Sequence, residues 1–450
     1  TNRMVQAVTR VTSSGRIGLL AAIGATWVVG GGERQVVFDG SFVRDGMSDV
    51  LIGFTLLITL LTFIYSREYL QSRGLLCGEY YALVLFAVLG MLVMISANSF
   101  LTVYLGLELL ALSLYALVAF DRDSRSGAEA AMKYFVLGAL GSGMLLYGIS
   151  MIYGATGSID LATVAKVVAA QGMGNKVLVF GLAFLVVGIG FKFGAVPFHM
   201  WVPDVYQGAP MPVVAFLGSV PKMAAFALAM RLLVDGIGPL HHDWQGMLVI
   251  LAVLSMGLGN LVAIAQTNIK RMLAYSTISH VGFLFLGVLA GTAHGYSVAM
   301  FYAVVYALMA AGAFGLLSLL SRDGVEAENL EDLKGLNERD PWYAAIMAIL
   351  MFSMAGVPPT VGFMAKLMVL EAVVRIALVW VALVAVFFSI IGAFYYIRVV
   401  KYMYFDKPVT EAPVVLSGGA RVAISVNGLA VLLLGLFPAA LLGLCQAAFP

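Results

Sequence analysis

Apolar runs of about twenty residues recur from one end of this chain to the other, the length a helix needs to cross the hydrocarbon core of a bilayer. Val50 to Ser66, Tyr80 to Ala97, Phe100 to Phe120, Tyr134 to Tyr153 and a run opening at Val177 come first. Val213 to Val234, Met247 to Ala265, Ser276 to Leu289 and Tyr296 to Leu320 follow. An interrupted apolar region covers Trp342 to Val374, and the last two runs cover about Ala377 to Tyr402 and Val422 to Ala448. With the shorter run Ile17 to Val29 the count is thirteen spans, the interrupted region being taken as one broken helix. A helix satisfies its own backbone in lipid, so the fold class is an all-α polytopic membrane protein. Composition agrees: 62% hydrophobic and 11% charged residues in 450 do not make a soluble domain.

Charge placement gives the chain two sides. Thr1 to Arg16 carries Arg3, Arg10 and Arg16 and no acid, and no cleavage-type end follows the next apolar run, so it reads as a cytoplasmic loop and not a signal peptide. The opening on Thr1 rather than Met reads as a trimmed beginning. If each span crosses once, most of the 26 Lys and Arg fall on the side of residues 1 to 16, Arg322 among them, as the positive-inside rule requires. Arg34, Arg44, Lys166, Lys176, Arg231 and Arg375 fall on the other. The near balance of 26 basic and 24 acidic residues excludes nucleic acid as a partner. Cys77 and Cys445 lie too far apart in sequence to suggest a disulfide framework, a metal cluster or a thiol redox centre.

Four ionisable residues away from the span ends make up the intramembrane set: Glu108, Lys192, Lys222 and Lys366. A structural ion pair or a snorkelling side chain explains one such residue as well as transport does. Four of them near mid-span, with few other charges to pair with, point to an ion pathway, because a buried unpaired charge costs several kcal/mol. Protons suit such a set. Burial favours the neutral forms of lysine and glutamate, and their approach to one another favours the charged ones, so a charge moving nearby loads or releases a proton. Helix breakers accompany the lysines: Gly194 and Pro197 follow Lys192, and Gly356, Pro358, Pro359 and Gly362 precede Lys366. Proline frees backbone groups that lipid cannot satisfy, so both breaks are expected to face the protein interior, as in inverted-repeat transporters. A simple proline kink is the plainer reading of each break taken singly.

Lesser candidates are His199, after the first break, and His280 in TISHVGF, where an imidazole relays protons or serves equally as a hydrogen-bonded structural group. Glu129 and Lys133, four apart, make an ordinary helix-face ion pair, with an access role second. Lys270 and Arg271 open a span on the cytoplasmic side, so interfacial anchoring is the favoured role and proton access the minor one.

The runs GFKFGAVPFHMWVPDVYQGAP (190–210), SVPK (219–222), TNIKRMLAYSTISHVGF (267–283) and AGVPPTVGFMAK (355–366) closely resemble the antiporter-like membrane subunit N family of proton-pumping NADH:quinone oxidoreductase, complex I. The resemblance covers essentially the whole chain, and WVPDVYQGAP (201–210) is its most specific piece; sister subunits and multisubunit sodium/proton antiporters look different there. It implies fourteen helices, the first apparently missing here, and two inverted five-helix repeats, each with a broken helix. The expected divisions are 1–79 peripheral helices, 80–234 first repeat, 247–402 second repeat and 403–450 C-terminal loop and helix. It implies that Glu108 modulates Lys192, which exchanges charge with Lys222 and then Lys366 on the exit side, driven by quinone reduction elsewhere. It implies no redox centre in this chain, with NAD, FMN, iron–sulfur clusters and quinone in partner subunits. The partners implied are other membrane subunits of complex I, especially subunits M and K, and lipids. The expected location is the bacterial inner (plasma) membrane or, failing that, an organellar energy-transducing membrane. A subunit of a multisubunit sodium(cation)/proton antiporter is the alternative, and a membrane scaffold indifferent to its buried charges is a third class.

Overall fold

The computed structural model describes residues 2–29, 34–321, 326–408 and 417–449. It is helical almost throughout. Helix α1 (Asn2–Val29) leads through a hairpin, β1 (Gln35–Val37) and β2 (Phe42–Arg44), to α2 (Gly46–Ser72), α3 (Gly78–Ile95), α4 (Phe100–Val118), α5 (Arg125–Thr156), α6 (Leu161–Gln171) and α7 (Lys176–Phe193). Short helices α8 (Trp201–Gly208), α9 (Met211–Leu217) and α10 (Val220–Ala229) follow, the last running into a π-helical turn, Met230–Gly236. Then come α11 (His241–Ala265), α12 (Ile269–Leu289), α13 (Ala293–Leu320), α14 (Leu336–Arg339), α15 (Pro341–Ala355), α16 (Val361–Arg375), α17 (Val379–Phe405), α18 (Gly418–Leu436) and α19 (Ala439–Ala447).

Among the described residues eleven helical segments are long and apolar enough to cross a membrane. The two expected spans outside that set are α1 and the interrupted region 342–374, which is two fifteen-residue helices, α15 and α16. Two expectations need correction. Residues 2–16 are not a loop but the first half of α1. The last run is not one span, because Pro438 lacks the amide that would continue α18, and α19 starts beyond it. The connection 154–176 holds α6, whose N-cap Asp160 accepts from Thr163 N at 2.8 Å. Arg322 lies outside the described residues.

Packing ranks the helices by depth. The segment Met211–Gly236 is buried except at Val234 and Asp235, and α12 and α13 nearly so, whereas α17 and α18 bury about a third of their length. Helices apolar on every side belong in the interior of a bundle. Close crossings are bought with glycine: a Cβ on Gly90 would sit 2.6 Å from Leu110 N, and one on Gly106 would sit 2.7 Å from Met94 N, so α3 and α4 touch backbone to backbone.

The links gather at two ends. At one, Val43 N bonds Ser96 O (2.7 Å) and Phe100 N bonds Ile159 O (2.9 Å). Arg231 also reaches this end, though not as a loop residue: it sits in the π-helical turn, 2% exposed, with Nη1 2.7 Å and Nη2 3.0 Å from the Asp45 carboxylate and further bonds to Asp235 and Ile95 O. Burial works against ionisation of Asp45, but Arg231 outweighs it and holds the carboxyl below the usual range. At the other end, called here the basic end, Ile269 N bonds Glu328 O (2.6 Å) and Gly335 N bonds Tyr402 O (3.0 Å). Replacing Asp45 by Ala leaves the buried guanidinium with Asp235 as its remaining carboxylate partner and should cost about 1–3 kcal/mol. Thermal unfolding in mild detergent would read this as a markedly lower midpoint than wild type. The contribution of Asp45 is present above the ordinary carboxylate pKa of about 4 and is lost as pH falls through its lowered folded value.

Candidate functional site

Both interruptions are built alike. α7 stops at Gly194 (φ +74°) and α15 at Gly356 (φ +88°), left-handed conformations that glycine adopts without strain. Each stop leaves helix C-terminal carbonyls turned inward, carrying the negative end of the helix dipole. A lysine from another helix meets each. Lys222 of α10, 3% exposed, donates from Nζ to Phe193 O at 2.8 Å. Lys366 of α16, 8% exposed, donates to Ala355 O at 2.9 Å and to Ser389 Oγ at 3.1 Å. Each ammonium also lies over an aromatic face, Lys222 over Trp201 (5.6 Å) and Lys366 over Phe283 (5.0 Å).

Glu108 and Lys192 form the other part of the row. Glu108 on α4 lies within electrostatic reach of Lys192 on α7 without touching it in an ion pair. Tyr104, one turn before Glu108, lies beside its carboxylate and Ser142, and Glu108 Oε1 is buried with no hydrogen-bond partner. A cavity lined by Lys192, Ser142, Tyr115, Tyr134 and Trp201 opens beside the pair. Trp201 separates this cavity from Lys222: its ring stacks on Tyr134 (centroids 4.7 Å apart), and its Nε1 donates to Phe191 O (3.1 Å). Lys192 and Lys222 remain within each other's electrostatic reach.

His280 on α12 is 4% exposed and stands within electrostatic reach of Lys366. Its Nδ1 lies 2.6 Å from the Tyr302 hydroxyl and its Nε2 3.1 Å from that of Tyr396, which in turn lies 2.5 Å from Ser276 Oγ. One turn away, Tyr306 donates to Thr277 Oγ1 at 2.7 Å. An imidazole with a hydroxyl on each nitrogen can take a proton on one side and release it on the other. Sequence reading found His280 and missed these tyrosines, since a tyrosine in an apolar run looks like core until its hydroxyl is placed.

The remaining candidates lie elsewhere. His199 sits in the turn after the first break, half-buried, its Nδ1 unpaired, bonded to neither lysine. Lys133 pairs with Glu129 (2.9 Å), as the spacing suggests, and also with Asp204 of α8 (2.8 Å). Lys270 is not an interfacial anchor: it is 1% exposed, covered by residues 326–329, and bonded to Ala209 O (2.9 Å), Glu326 (3.3 Å) and Glu328 (3.2 Å). Arg271 stays at the surface and pairs with Asp204 at 2.7 Å.

A helical bundle with two inward-facing breaks, each capped by a buried lysine, defines a membrane subunit of antiporter type. Residues 97–392 match the transmembrane family described as NADH:quinone oxidoreductase/Mrp antiporter. NADH-quinone oxidoreductase subunit N of Thioalkalivibrio sulfidiphilus is 61% identical over 96% of this chain and 90% of its own length. A chain of respiratory complex I from Thermus thermophilus with bound aureothin superposes with TM-score 0.84 at 35% identity, over 98% of this chain and 95% of that one. A chain of the Mrp complex from Dietzia sp. shares the fold, with TM-score 0.82 at 21% identity over 99% and 92%. The chain belongs to the NADH-quinone oxidoreductase subunit N family.

Gly356 offers a direct check on the second break. A Cβ there would stand 2.9 Å from Lys366 Cδ in a backbone conformation that alanine resists. Gly356→Ala should therefore destabilise the protein by about 1–3 kcal/mol, seen as a lower thermal midpoint, whereas Gly154→Ala, with open space around its Cβ, should leave it unchanged.

Proposed function

We propose that this chain is a proton-carrying membrane subunit of a respiratory NADH-quinone oxidoreductase, and that the path runs from Glu108 through Lys192 and Lys222 to Lys366. The observation that carries the proposal is the matched pair of sites, in which Lys222 and Lys366 are buried and held by the carbonyl ends of broken helices. An ammonium placed there gains an acceptor and a dipole but no carboxylate, so it is held without being locked in an ion pair. It keeps its charge when a neighbouring group supports it and loses its proton when a neighbouring positive charge arrives. His280, with Tyr302 and Tyr396, bridges the interior toward Lys366, and His199 and Lys133 are subsidiary.

On this reading residues 80–234 and 247–402 are two inverted repeats, each owning one break, with 1–79 and 403–450 outside them. The stops at Gly194 and Gly356 support that division. Hydride and electron chemistry on NAD, FMN, iron–sulfur clusters and quinone falls to partner subunits. Subunits M and K are the proposed neighbours, with lipid around the rest, in a bacterial inner membrane whose cytoplasmic side faces the basic end. A sodium/proton antiporter is the less favoured reading, because the likeness to the Mrp complex is one of fold at 21% identity.

Lys222→Ala tests the proposal. The complex should assemble and oxidise NADH, while the proton-pumping rate falls on the order of tenfold or more in the step this chain carries. Acidification of inside-out vesicles per NADH oxidised is the measurement. An assembled Lys222→Ala complex that pumped at the wild-type ratio would remove the path.

A further inference from the structure

At the basic end the links enclose a cleft of about 280 Å³, separate from the row of lysines. Ser126, Glu129 and Lys133 from α5, Asp204 and Gln207 from α8, and Glu328 line it. Several waters fit in such a volume, and the polar walls supply their partners. Glu328 is the wall that leads inward. Its side chain is 34% exposed, yet its Oε1 lies 3.2 Å from Nζ of Lys270, which is buried. Lys270 also donates to Ala209 O, just ahead of α9 on the way to Lys222. The backbone around Glu328 is fixed by the bonds Ile269 N to Glu328 O and Leu330 N to Thr267 O.

The neighbouring carboxylates are already committed. Asp204 is held between Lys133 (2.8 Å) and Arg271 (2.7 Å). Glu326 takes the Tyr69 hydroxyl, lies 3.8 Å from Arg73 and shares Lys270. Glu129 is exposed and paired with Lys133. Among the described residues Glu328 has only Lys270 and the facing carboxyl of Glu326. Burial and that facing carboxyl push Glu328 above the usual carboxylate range. Burial also opposes ionisation of Glu326, but Glu328, Lys270, the Tyr69 hydroxyl and Arg73 hold it well below. Of the two, Glu328 protonates first.

Beyond Lys270 the interior is polar. Thr277, two turns further along α12, carries the Tyr306 hydroxyl, and His280 is one turn beyond. Tyr206 of α8, wholly buried and on the same helix as cleft-lining Asp204 and Gln207, places its hydroxyl near Thr277 without a close hydrogen bond.

We propose that this cleft is where the chain takes up protons from the aqueous phase, with Glu328 as the loading carboxylate and Lys270 as the group behind it. This rests on the proton-carrying reading above. A proton from water in the cleft converts the Glu328 carboxylate to the acid. Lys270 releases an ammonium proton inward, to water leading toward Thr277, and takes its replacement from the Glu328 acid. One proton has then passed inside, and both groups regain their starting charge.

The test uses inside-out vesicles holding the assembled complex, with acidification and NADH oxidation followed together from about pH 6 to about pH 9. Glu328→Gln should lower the proton-to-electron ratio at about pH 8 to that of Lys222→Ala, with partial return near pH 6 where protons are plentiful. Glu328→Asp, which keeps a carboxylate, should restore most of the ratio. A glutamine variant pumping at the wild-type ratio throughout overturns the proposal, as does an aspartate variant no better than glutamine in a fully assembled complex. If the glutamine variant does not assemble, Glu328→His carries the test: the alkaline limit of pumping moves to lower pH, and an unmoved limit overturns the assignment. Loss of pumping in Lys222→Ala with none in Glu328→Gln removes the uptake site alone, and normal pumping in Lys222→Ala removes the parent reading.

Discussion

A helix stopped inside a membrane and a lysine buried at the same depth are each costly alone, and in this chain each removes the other's cost. The stop at Gly194 leaves Phe193 O without an intrahelical donor, and Lys222 supplies one. The stop at Gly356 leaves Ala355 O, and Lys366 supplies one. Unpaired backbone in hydrocarbon costs several kcal/mol per group, and an ammonium without an acceptor costs at least as much. Neither break could persist on the lipid face, so the rest of the bundle must surround them. That requirement accounts for the depth ranking: α9, α10, α12 and α13 are buried because they carry or face the lysines, and α17 and α18 supply the cover.

The two sites are alike in geometry and unlike in sequence. Lys192 stands before its break on α7, Lys366 after its break on α16, and Lys222 comes from a different helix altogether. Judged by what holds the ammonium, Lys222 corresponds to Lys366, and Lys192 has no such carbonyl. Lys192 faces Glu108 and the cavity beside Trp201 instead. The row therefore contains two kinds of site, one stabilised by a carboxylate across a gap and two by helix ends. A carboxylate strengthens its hold as it approaches, whereas a helix end is fixed.

Much of this was legible in the sequence because a membrane leaves few choices. Run lengths gave the helices, and the rarity of charge in those runs made Glu108, Lys192, Lys222 and Lys366 stand out before any coordinates. Two kinds of information were not legible. A polar residue near the end of a run has no fixed depth until the loop over it is placed. Lys270 looked interfacial and is buried only because residues 326–329 fold across it. Arg231, assigned by charge only to the side away from residues 1 to 16, is an interior group whose partner Asp45 lies 186 positions away in sequence. The tyrosines around His280 share a second obstacle: α12, α13 and α17 each read as uniformly apolar, and only their mutual rotation aims three hydroxyls at one imidazole and its neighbour.

The spacing of the charged groups also bears on how strongly one can influence the next. Two unit charges about 10 Å apart in an effective dielectric of about 20 interact by roughly 1.7 kcal/mol, more than a tenfold change in a protonation equilibrium. Lys192 and Lys222 are of like sign, and Trp201, pinned by Tyr134 and Phe191 O, stands between them. A rigid aromatic ring excludes water from the space it fills and so keeps the repulsion from being screened. The two ammonium groups therefore repel one another across the ring, and Glu108 lies within reach of Lys192. Lys366 differs in its surroundings: the groups that hold it are the Ala355 carbonyl, the Ser389 hydroxyl and the Phe283 ring, all without formal charge.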